Sequence, residues 1–259
     1  MKYFTVLFVA SLFFGCSSPS QVEEQEKKLT YKEMTTVQRM ENRHKKEKFL
    51  SFDNIKFDLE LYFRGKKRLS GTLTLATNSS KGLIETKDGN KVLFINDKVY
   101  YTPGMNEKKV RFDAYTWSYF FLLPYKLSDE GTIWTETEKV IMNESWFKTQ
   151  RLVFADGTGD APDDWYQVYS DTNTDLIQVA AYIVTANKSV EKAEEDPHAI
   201  GYENYEMLEA IPIATKWGFY GWRPSKGLTD TIGNATLSNF EFVEDNDSLY
   251  SPPSNFLSI

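Results

Sequence analysis

The chain has 259 residues, of which 41% are hydrophobic and 26% charged, as expected for a globular protein with one large β domain. Its net charge of −7 excludes a general nucleic-acid binder, because contact with phosphates requires a basic face. One cysteine and two histidines, His44 and His198, exclude an intrachain disulfide framework, a cysteine-rich zinc site and a three-histidine zinc site.

The amino-terminal segment has the organisation of a signal peptide. Lys2 is followed by an apolar run over residues 3–14, which is too short to span a bilayer as a helix. The run ends at Gly15 and Cys16, and this arrangement resembles a bacterial lipoprotein signal, in which the cysteine after a small residue is lipidated. We therefore predict a signal peptide over residues 1–15 and a lipid anchor on Cys16. The alternative is a secretory signal with an incidental cysteine.

Two segments follow the predicted anchor. Residues 16–28 are polar and charged, which predicts a flexible tether. Between Leu29 and Met40 the apolar residues fall roughly at helical spacing, so a helix is predicted over residues 29–47. The helix ends in a basic cluster that contains His44, which suits the carboxyl end of a helix.

From residue 55 the apolar period changes to two. Every odd position from Ile55 to Phe63 is apolar and the even positions are mostly charged, which predicts a half-buried strand. Turn residues at 87–90 and at 96–97 predict two hairpins. The predicted strands cover residues 55–64, 68–77, 81–86, 91–95, 99–101, 139–143, 146–154, 164–169, 176–184, 207–214 and 235–243.

An aromatic-rich segment, residues 112–124, interrupts the strands and predicts a short buried helix. Asp113 is a candidate amino-terminal cap, and Pro124 would end the helix. About ten or eleven strands with two covering helices predict a mainly β fold, a large curled antiparallel sheet or incomplete β-barrel. We expect one domain over residues 29–243 and a loosely ordered tail over residues 244–259.

Three motifs carry a resemblance to a known family: FLLPYKL at residues 121–127, RLVF at 151–154 and WYQVYSDTNT at 165–174. Together with the order of the parts, they resemble an uncharacterised family of secreted bacterial lipoproteins with a LolA/LolB-like fold. The resemblance implies an incomplete antiparallel barrel around an apolar cavity, with helices as a lid. Carriers of this shape shelter acyl chains in the cavity. No individual ligand-binding residue follows from the resemblance.

Other polar motifs are better explained as structure than as chemistry. The aspartates of the loop at residues 155–165 lack the spacing of a calcium loop, so a solvated turn is favoured. His198 follows three acidic residues and a proline and is interpreted as part of a polar connector. No G-x-S-x-G motif supplies a nucleophile. We therefore predict that the protein is not an enzyme and uses no cofactor and no metal.

These observations predict a lipid-anchored protein of the cell envelope that binds a lipid or another hydrophobic ligand in a half-barrel. We expect it at the outer membrane, facing the periplasm or the cell surface, with the membrane as its partner through Cys16. Ordinary core packing is the alternative for the candidate cavity residues, which are Ile55, Phe57, Leu59, Leu61, Phe63, Trp117, Phe120, Phe121 and Leu123. The alternative functions are an envelope glycan-binding module or hydrolase with exposed Trp222 and carboxylates, and a scaffold lipoprotein with a protein partner.

Overall fold

The computed structural model describes residues 1, 29–142, 144–186, 188–246 and 248–259. It divides into two units, Met1–Glu33 and Met34–Ile259. Cys16 and nearly all of the predicted signal peptide and tether lie outside the described residues. Within the first unit, the Glu33 carboxylate accepts hydrogen bonds from the backbone N–H and the hydroxyl of Thr30, each at 2.8 Å.

The second unit is built on one antiparallel sheet of thirteen strands in the described residues, two more than the upper expectation. The fold is mainly β, as predicted. The strands are β1 (Asn54–Phe63), β2 (Lys66–Ala76), β3 (Lys81–Thr86), β4 (Lys91–Ile95), β5 (Lys98–Tyr101), β6 (Thr132–Met142), β7 (Ser145–Phe154), β8 (Tyr166–Asp171), β9 (Ile177–Tyr182), β10 (His198–Leu208), β11 (Ile211–Arg223), β12 (Gly227–Val243) and β13 (Leu257–Ser258).

The strand order is β13-β5-β4-β3-β2-β1-β12-β11-β10-β9-β8-β7-β6. The pairing of β1 with β12 joins the two halves of the sheet, and β13 and β6 form its two edges. The sheet is therefore open, an incomplete barrel of the predicted kind. A sheet with this many strands curls because each strand is twisted relative to its neighbour.

Five short segments are helical in the described residues. They are α1 (Thr36–Arg43), α2 (Lys46–Phe49), α3 (Glu107–Leu122), a 3₁₀ turn (Leu123–Tyr125) and α4 (Val190–Glu194). The first predicted helix begins later than expected, because Thr35 and Gln38 form a capping box that fixes its first turn. It ends at His44, and Lys45 takes a left-handed conformation before α2 begins.

Helix α3 is longer than predicted and starts earlier. Asn106 is its cap, with its side chain accepting a hydrogen bond from the Lys109 backbone N–H. Asp113 therefore lies inside the helix, and the expectation that it caps the helix was wrong. The α-helix ends at Leu122, and Pro124 lies in the 3₁₀ turn that follows, where its missing N–H costs no helical hydrogen bond.

The predicted strand over residues 207–214 is interrupted by a hairpin turn, so that it contains the end of β10 and the start of β11. Glu209 and Ala210 both have left-handed backbone angles, with φ of 48° and 62°, and they connect β10 to β11. Such turns are usually marked by Asn-Gly or Asp-Gly, so this turn leaves no signal in the sequence. Because the turn has no sequence signal, most of β10, the strand that precedes it, is not among the predicted strands.

The carboxyl-terminal segment, expected to be loosely ordered, returns to the sheet. Strand β13 pairs with β5, and the buried Tyr250 donates a hydrogen bond from its hydroxyl to the Asn54 side chain at 2.6 Å. These contacts fix both ends of residues 248–259 to the body of the fold. Across the described part of the chain, every helix is too short or too polar to cross a membrane.

Candidate ligand-binding site

The inner face of β1 forms an apolar wall, as the period of two predicts. Ile55, Phe57, Leu59 and Leu61 are fully buried, while Phe63, at the end of the strand, is half-buried. The alternate residues lie on the other face, where Asp58 accepts a hydrogen bond from the Thr72 hydroxyl at 2.6 Å. The wall therefore consists of the five candidate residues that the sequence placed on β1.

Helix α3 covers this wall with the four other candidate residues. Trp117, Phe120 and Phe121 lie on its buried face, and Leu123 begins the 3₁₀ turn. Phe57 and Phe121 stack with ring centroids 4.3 Å apart, and Phe63 lies 6.1 Å from the ring of Trp117. The structure thus brings the nine predicted residues together in one core cluster, in which they pack against one another.

Polar contacts join α3 to β2, to β10 and to the turn between β4 and β5, where the Tyr115 hydroxyl donates to the Asn96 carbonyl at 2.9 Å. Arg68 on β2 donates to both carboxylate oxygens of Asp113, which also accepts a hydrogen bond from Trp117 Nε1 within the helix at 2.8 Å. Near the end of the helix, the Tyr202 hydroxyl donates to the backbone carbonyl of Phe120 at 2.9 Å. The rest of the attachment is packing of aromatic and other apolar side chains against the sheet.

A small internal cavity of about 10 Å³ lies at one end of the wall, between the helices and the β10–β11 hairpin. This volume is near the minimum that holds one water molecule. The cavity is lined by apolar and aromatic residues together with one imidazole, and none of them carries a charge at neutral pH: His44, Phe121, Pro124, Tyr125, Tyr202, Tyr205, Pro212, Ile213, Ala214 and Trp217.

His44 is fully buried, a property that its position in a basic run did not predict. Its Nε2 accepts a hydrogen bond from the backbone N–H of Ile177 at 3.1 Å, so the neutral ring carries its proton on Nδ1. Nδ1 has no hydrogen-bond partner among the described residues. Burial, assisted by Arg43, lowers the pKa of His44 to about 3, so the imidazole is neutral at physiological pH.

A larger groove of about 440 Å³ lies where the sheet splits. Pairing between β11 and β12 ends at Lys216 and Thr236, beyond which β11 stays with β10 and β12 stays with β1. Asn204 and Asn239, both left-handed, flank this split. The groove has the volume of a small-molecule site. Its lining residues are Asn204, Glu206, Met207, Leu208, Ile213, Thr215, Lys216, Thr236, Leu237, Ser238, Asn239 and Phe240.

The groove and the small cavity are neighbours. Ile213 lines both of them. Phe240 lines the groove, and its ring lies 5.6 Å from that of Phe57 and 6.3 Å from that of Phe121. A few apolar side chains therefore separate the exterior groove from the wall and from His44.

The aspartate loop at residues 155–165 and His198 make structural contacts in the described residues. Asp160 accepts a hydrogen bond from the Arg111 Nε at 2.9 Å, and Asp164 accepts from the Thr185 backbone and hydroxyl, each at 2.7 Å. Within the described ranges no three His, Cys, Asp or Glu side chains are grouped in a way that could hold a metal ion. His198 begins β10 and is half-buried, with Nε2 3.7 Å from Asp196.

The later aromatic cluster is divided between two faces of the sheet. Trp217 and Phe219 belong to the main core, whereas Trp222 is buried in a second cluster on β11. Its ring lies 5.9 Å from that of Trp165, and its Nε1 donates to the Tyr169 hydroxyl at 3.1 Å. Trp222 is therefore not exposed in an open groove, which the glycan-binding alternative requires.

Of the residues that line the small cavity, only Phe121 is among the predicted site residues, and the groove was not predicted. Tyr202 and Tyr205 lie on a part of β10 that was not predicted as a strand, and Ile213 lies in the segment predicted as a single strand over residues 207–214. Asn204 and Asn239 at the split are the sequence signal for it, because Asn adopts the left-handed backbone conformation more readily than most residues. Their partners in the fold are too distant in sequence for that signal to locate a groove.

No family model matches the chain, and no curated protein matches it at a significant level. Solved structures do match. A LolA superfamily protein from Nitrosomonas europaea is 8% identical and superposes with a TM-score of 0.56, covering 84% of this chain and 98% of its own. A domain described as an outer membrane lipoprotein-sorting protein, from Vibrio parahaemolyticus, is 12% identical with a TM-score of 0.53, covering 82% of this chain and 94% of its own.

A DUF1329 family protein from Desulfovibrio piger is also similar, at 12% identity and a TM-score of 0.53, with 84% of this chain and 98% of that chain covered. At these identities the similarity establishes the fold. The chain has a LolA-like fold, as the family resemblance implied.

Proposed function

We propose that this LolA-like half-barrel is a lipid-anchored protein of the bacterial cell envelope that binds a hydrophobic ligand between its apolar wall and α3. The observation that carries the proposal is the wall itself, a continuous apolar face from Ile55 to Phe63 under a cover that packs on it with aromatic side chains. Binding is proposed to be non-covalent, with no bond chemistry and no cofactor.

The candidate residues pack against one another in the core, and the cavity beside them is about 10 Å³, so a ligand between the wall and α3 must displace part of the cover. Helix α3 is the element best suited to move, because a ligand chain would replace its apolar contacts with similar ones. The groove of about 440 Å³ at the split in the sheet offers a route to the same wall. Ligand binding is thus a rearrangement of packed apolar surfaces.

Native mass spectrometry of the gently purified full chain carrying Cys16→Ser tests this proposal. The substitution removes the acylated cysteine, whose own chains would compete for the site. We expect a reproducible added mass that disappears on solvent extraction, or uptake of added hexadecanoate or phospholipid. A chain that stays free of ligand under all these conditions would exclude the hydrophobic-ligand function and favour a scaffold role with a protein partner.

A pair of variants on β1 tests the wall. Phe63→Asp places a carboxylate on the inner face at the half-buried end of the strand, where the fold tolerates it better than at Phe57. Tyr62→Asp places the same group on the outer face of the same strand and is the control. We expect ligand uptake to fall only in Phe63→Asp. Equal uptake by the two folded variants would remove the wall from the site.

The anchor is tested separately. Wild-type chain expressed in a Gram-negative host with a radiolabelled fatty acid is expected to carry the label and to sediment with outer membranes, whereas Cys16→Ser is expected to lack the label. An unlabelled wild-type chain would show that the cysteine is incidental.

A further inference from the structure

The buried imidazole of His44 is an unusual group for the inside of an apolar half-barrel. It lies at the end of α1, where the cavity of about 10 Å³ meets the lid helices and the β10–β11 hairpin. A buried polar group without a hydrogen bond costs free energy, and the Nδ1 atom of His44 is such a group in the described residues. A ligand that forms a hydrogen bond with Nδ1 would remove this cost.

The hydrogen bonds around the ring define the chemistry that remains. Nε2 is an acceptor for the Ile177 N–H, so Nδ1–H is a donor. Three tyrosines line the cavity, Tyr125, Tyr202 and Tyr205. The hydroxyls of Tyr202 and Tyr205 already donate to the backbone carbonyls of Phe120 and Ile177. An incoming group must therefore accept a hydrogen bond from His44.

The charges around the cavity restrict that group further. None of the residues that line it is a lysine or an arginine, and the His44 ring is neutral. A carboxylate or phosphate would be buried there without an ion-pair partner among the lining residues, since Arg43 acts on His44 without lining the cavity, and this burial is unfavourable. An uncharged acceptor, such as an ester carbonyl, carries no such penalty.

The route to the cavity is the groove at the split in the sheet. Ile213 lines the groove on one side and the cavity on the other, so the two spaces are separated by an apolar side chain that can change rotamer. Phe240 and Phe121 form the rest of the partition, with their rings 6.3 Å apart. An extended chain in the groove that displaces Ile213 would bring its polar group to His44.

We propose that the groove between β11 and β12 binds an uncharged acyl ester, whose carbonyl oxygen accepts a hydrogen bond from His44 Nδ1–H while its chain lies along Ile213 and Phe240. This proposal rests on the proposed function and specifies its ligand. It adds an entrance through the sheet and a selectivity for neutral esters over free acids.

The test uses the full chain carrying Cys16→Ser with three probes of equal chain length: methyl hexadecanoate, hexadecanoate and hexadecane. We expect the ester to bind about tenfold more tightly than either other probe, because only the ester combines a buried acceptor with zero charge. His44→Phe, which removes the donor, is expected to lose the preference for the ester and to keep binding hexadecane. His44→Gln, which retains a donor and an acceptor, is expected to restore part of it.

The two histidines of the chain allow a direct readout with ¹⁵N-histidine labelling. Methyl hexadecanoate is expected to shift the Nδ1 signal of His44, and hexadecane is not, while His198 on β10 serves as the internal reference. Ester binding that leaves the His44 signal unchanged would overturn the proposal and leave a buried water as the partner of Nδ1. Failure of all three probes to bind would instead overturn the proposed function itself.

Discussion

The ring of Phe57 on β1 and the ring of Phe121 on α3 are stacked, with centroids 4.3 Å apart and planes inclined by 24°. Phe57 belongs to the sheet and Phe121 to the helix that covers it, so this pair joins the wall to the lid. Both residues also contact Phe240, which lines the groove on the far side of β12. The same three rings therefore close the interior and separate it from the exterior.

The Phe57–Phe121 pair predicts a large effect of truncation. Phe121→Ala removes a buried ring from the core and is expected to lower the free energy of unfolding by about 3–5 kcal/mol. Lys108→Ala, at an exposed position of the same helix, is expected to change it by less than about 0.5 kcal/mol. Urea unfolding of both variants measures the difference. A loss below about 1 kcal/mol for Phe121→Ala would mean that the lid does not pack on the wall.

The ion pair between Arg68 and Asp113 predicts how readily the lid opens. Asp113→Asn weakens the charged contact to Arg68 and the bond from Trp117 Nε1, so local opening of α3 is expected to become easier by about 1–3 kcal/mol. Hydrogen exchange of the amides between residues 114 and 121 measures this. Lys109→Gln, at an exposed position near the start of the helix, is the control. Unchanged exchange in Asp113→Asn would show that packing alone holds the helix.

The buried His44 predicts a dependence of stability on pH. The unfolded chain protonates this imidazole below its ordinary pKa of 6.5, whereas the folded chain does so only near a pKa of about 3. The folded state therefore loses stability as the pH falls from 6.5 towards 3, with a slope that approaches about 1.4 kcal/mol per pH unit. Unfolding in urea between pH 7 and pH 5 measures this slope.

Two variants isolate the contribution of His44 to that slope. His44→Phe cannot be protonated, so its stability is expected to change less with pH than that of the wild type. His198→Gln, at the half-buried second histidine, is expected to retain most of the wild-type dependence, although burial lowers the pKa of His198 as well. Parallel curves for the wild type and His44→Phe would show that the imidazole is not buried as a neutral group.

The turn between β10 and β11 predicts a stabilising substitution. Glu209 and Ala210 have φ of 48° and 62°, and side chains with a Cβ are strained in this region. Glu209→Asn combined with Ala210→Gly suits a two-residue hairpin turn and is expected to raise the stability by about 1 kcal/mol. Ala214→Gly, in the adjacent strand, is the control and is expected to be destabilising. Thermal unfolding of the two variants gives the comparison.

The correctly predicted strands are marked in the sequence by alternation of apolar and polar residues or by flanking turn residues. In β1 the odd residues from Ile55 to Phe63 face the core because successive side chains in a strand point to opposite sides. The hairpin between β3 and β4 was predicted because Gly89, with φ of 86°, adopts the left-handed angle that the turn requires. The wall and much of the sheet follow from such local rules.

The parts that were missed depend on contacts between distant segments. Asp113 lies inside α3, where its carboxylate accepts a hydrogen bond from Arg68, 45 residues earlier on β2. Tyr250 was expected in a loose tail, but its hydroxyl reaches Asn54 at the start of β1. Neither partner lies within the span over which helical or strand periodicity operates.

The mainly β class, the apolar wall on β1 and the aromatic composition of its cover follow from the sequence, because period-two alternation and turn residues are properties of adjacent positions. The packing of the wall against α3, the split of the sheet between β11 and β12 and the burial of His44 against the backbone of Ile177 follow only from the fold. His44 and Ile177 are 133 residues apart, and their hydrogen bond exists because folding brings two segments together that no local pattern connects.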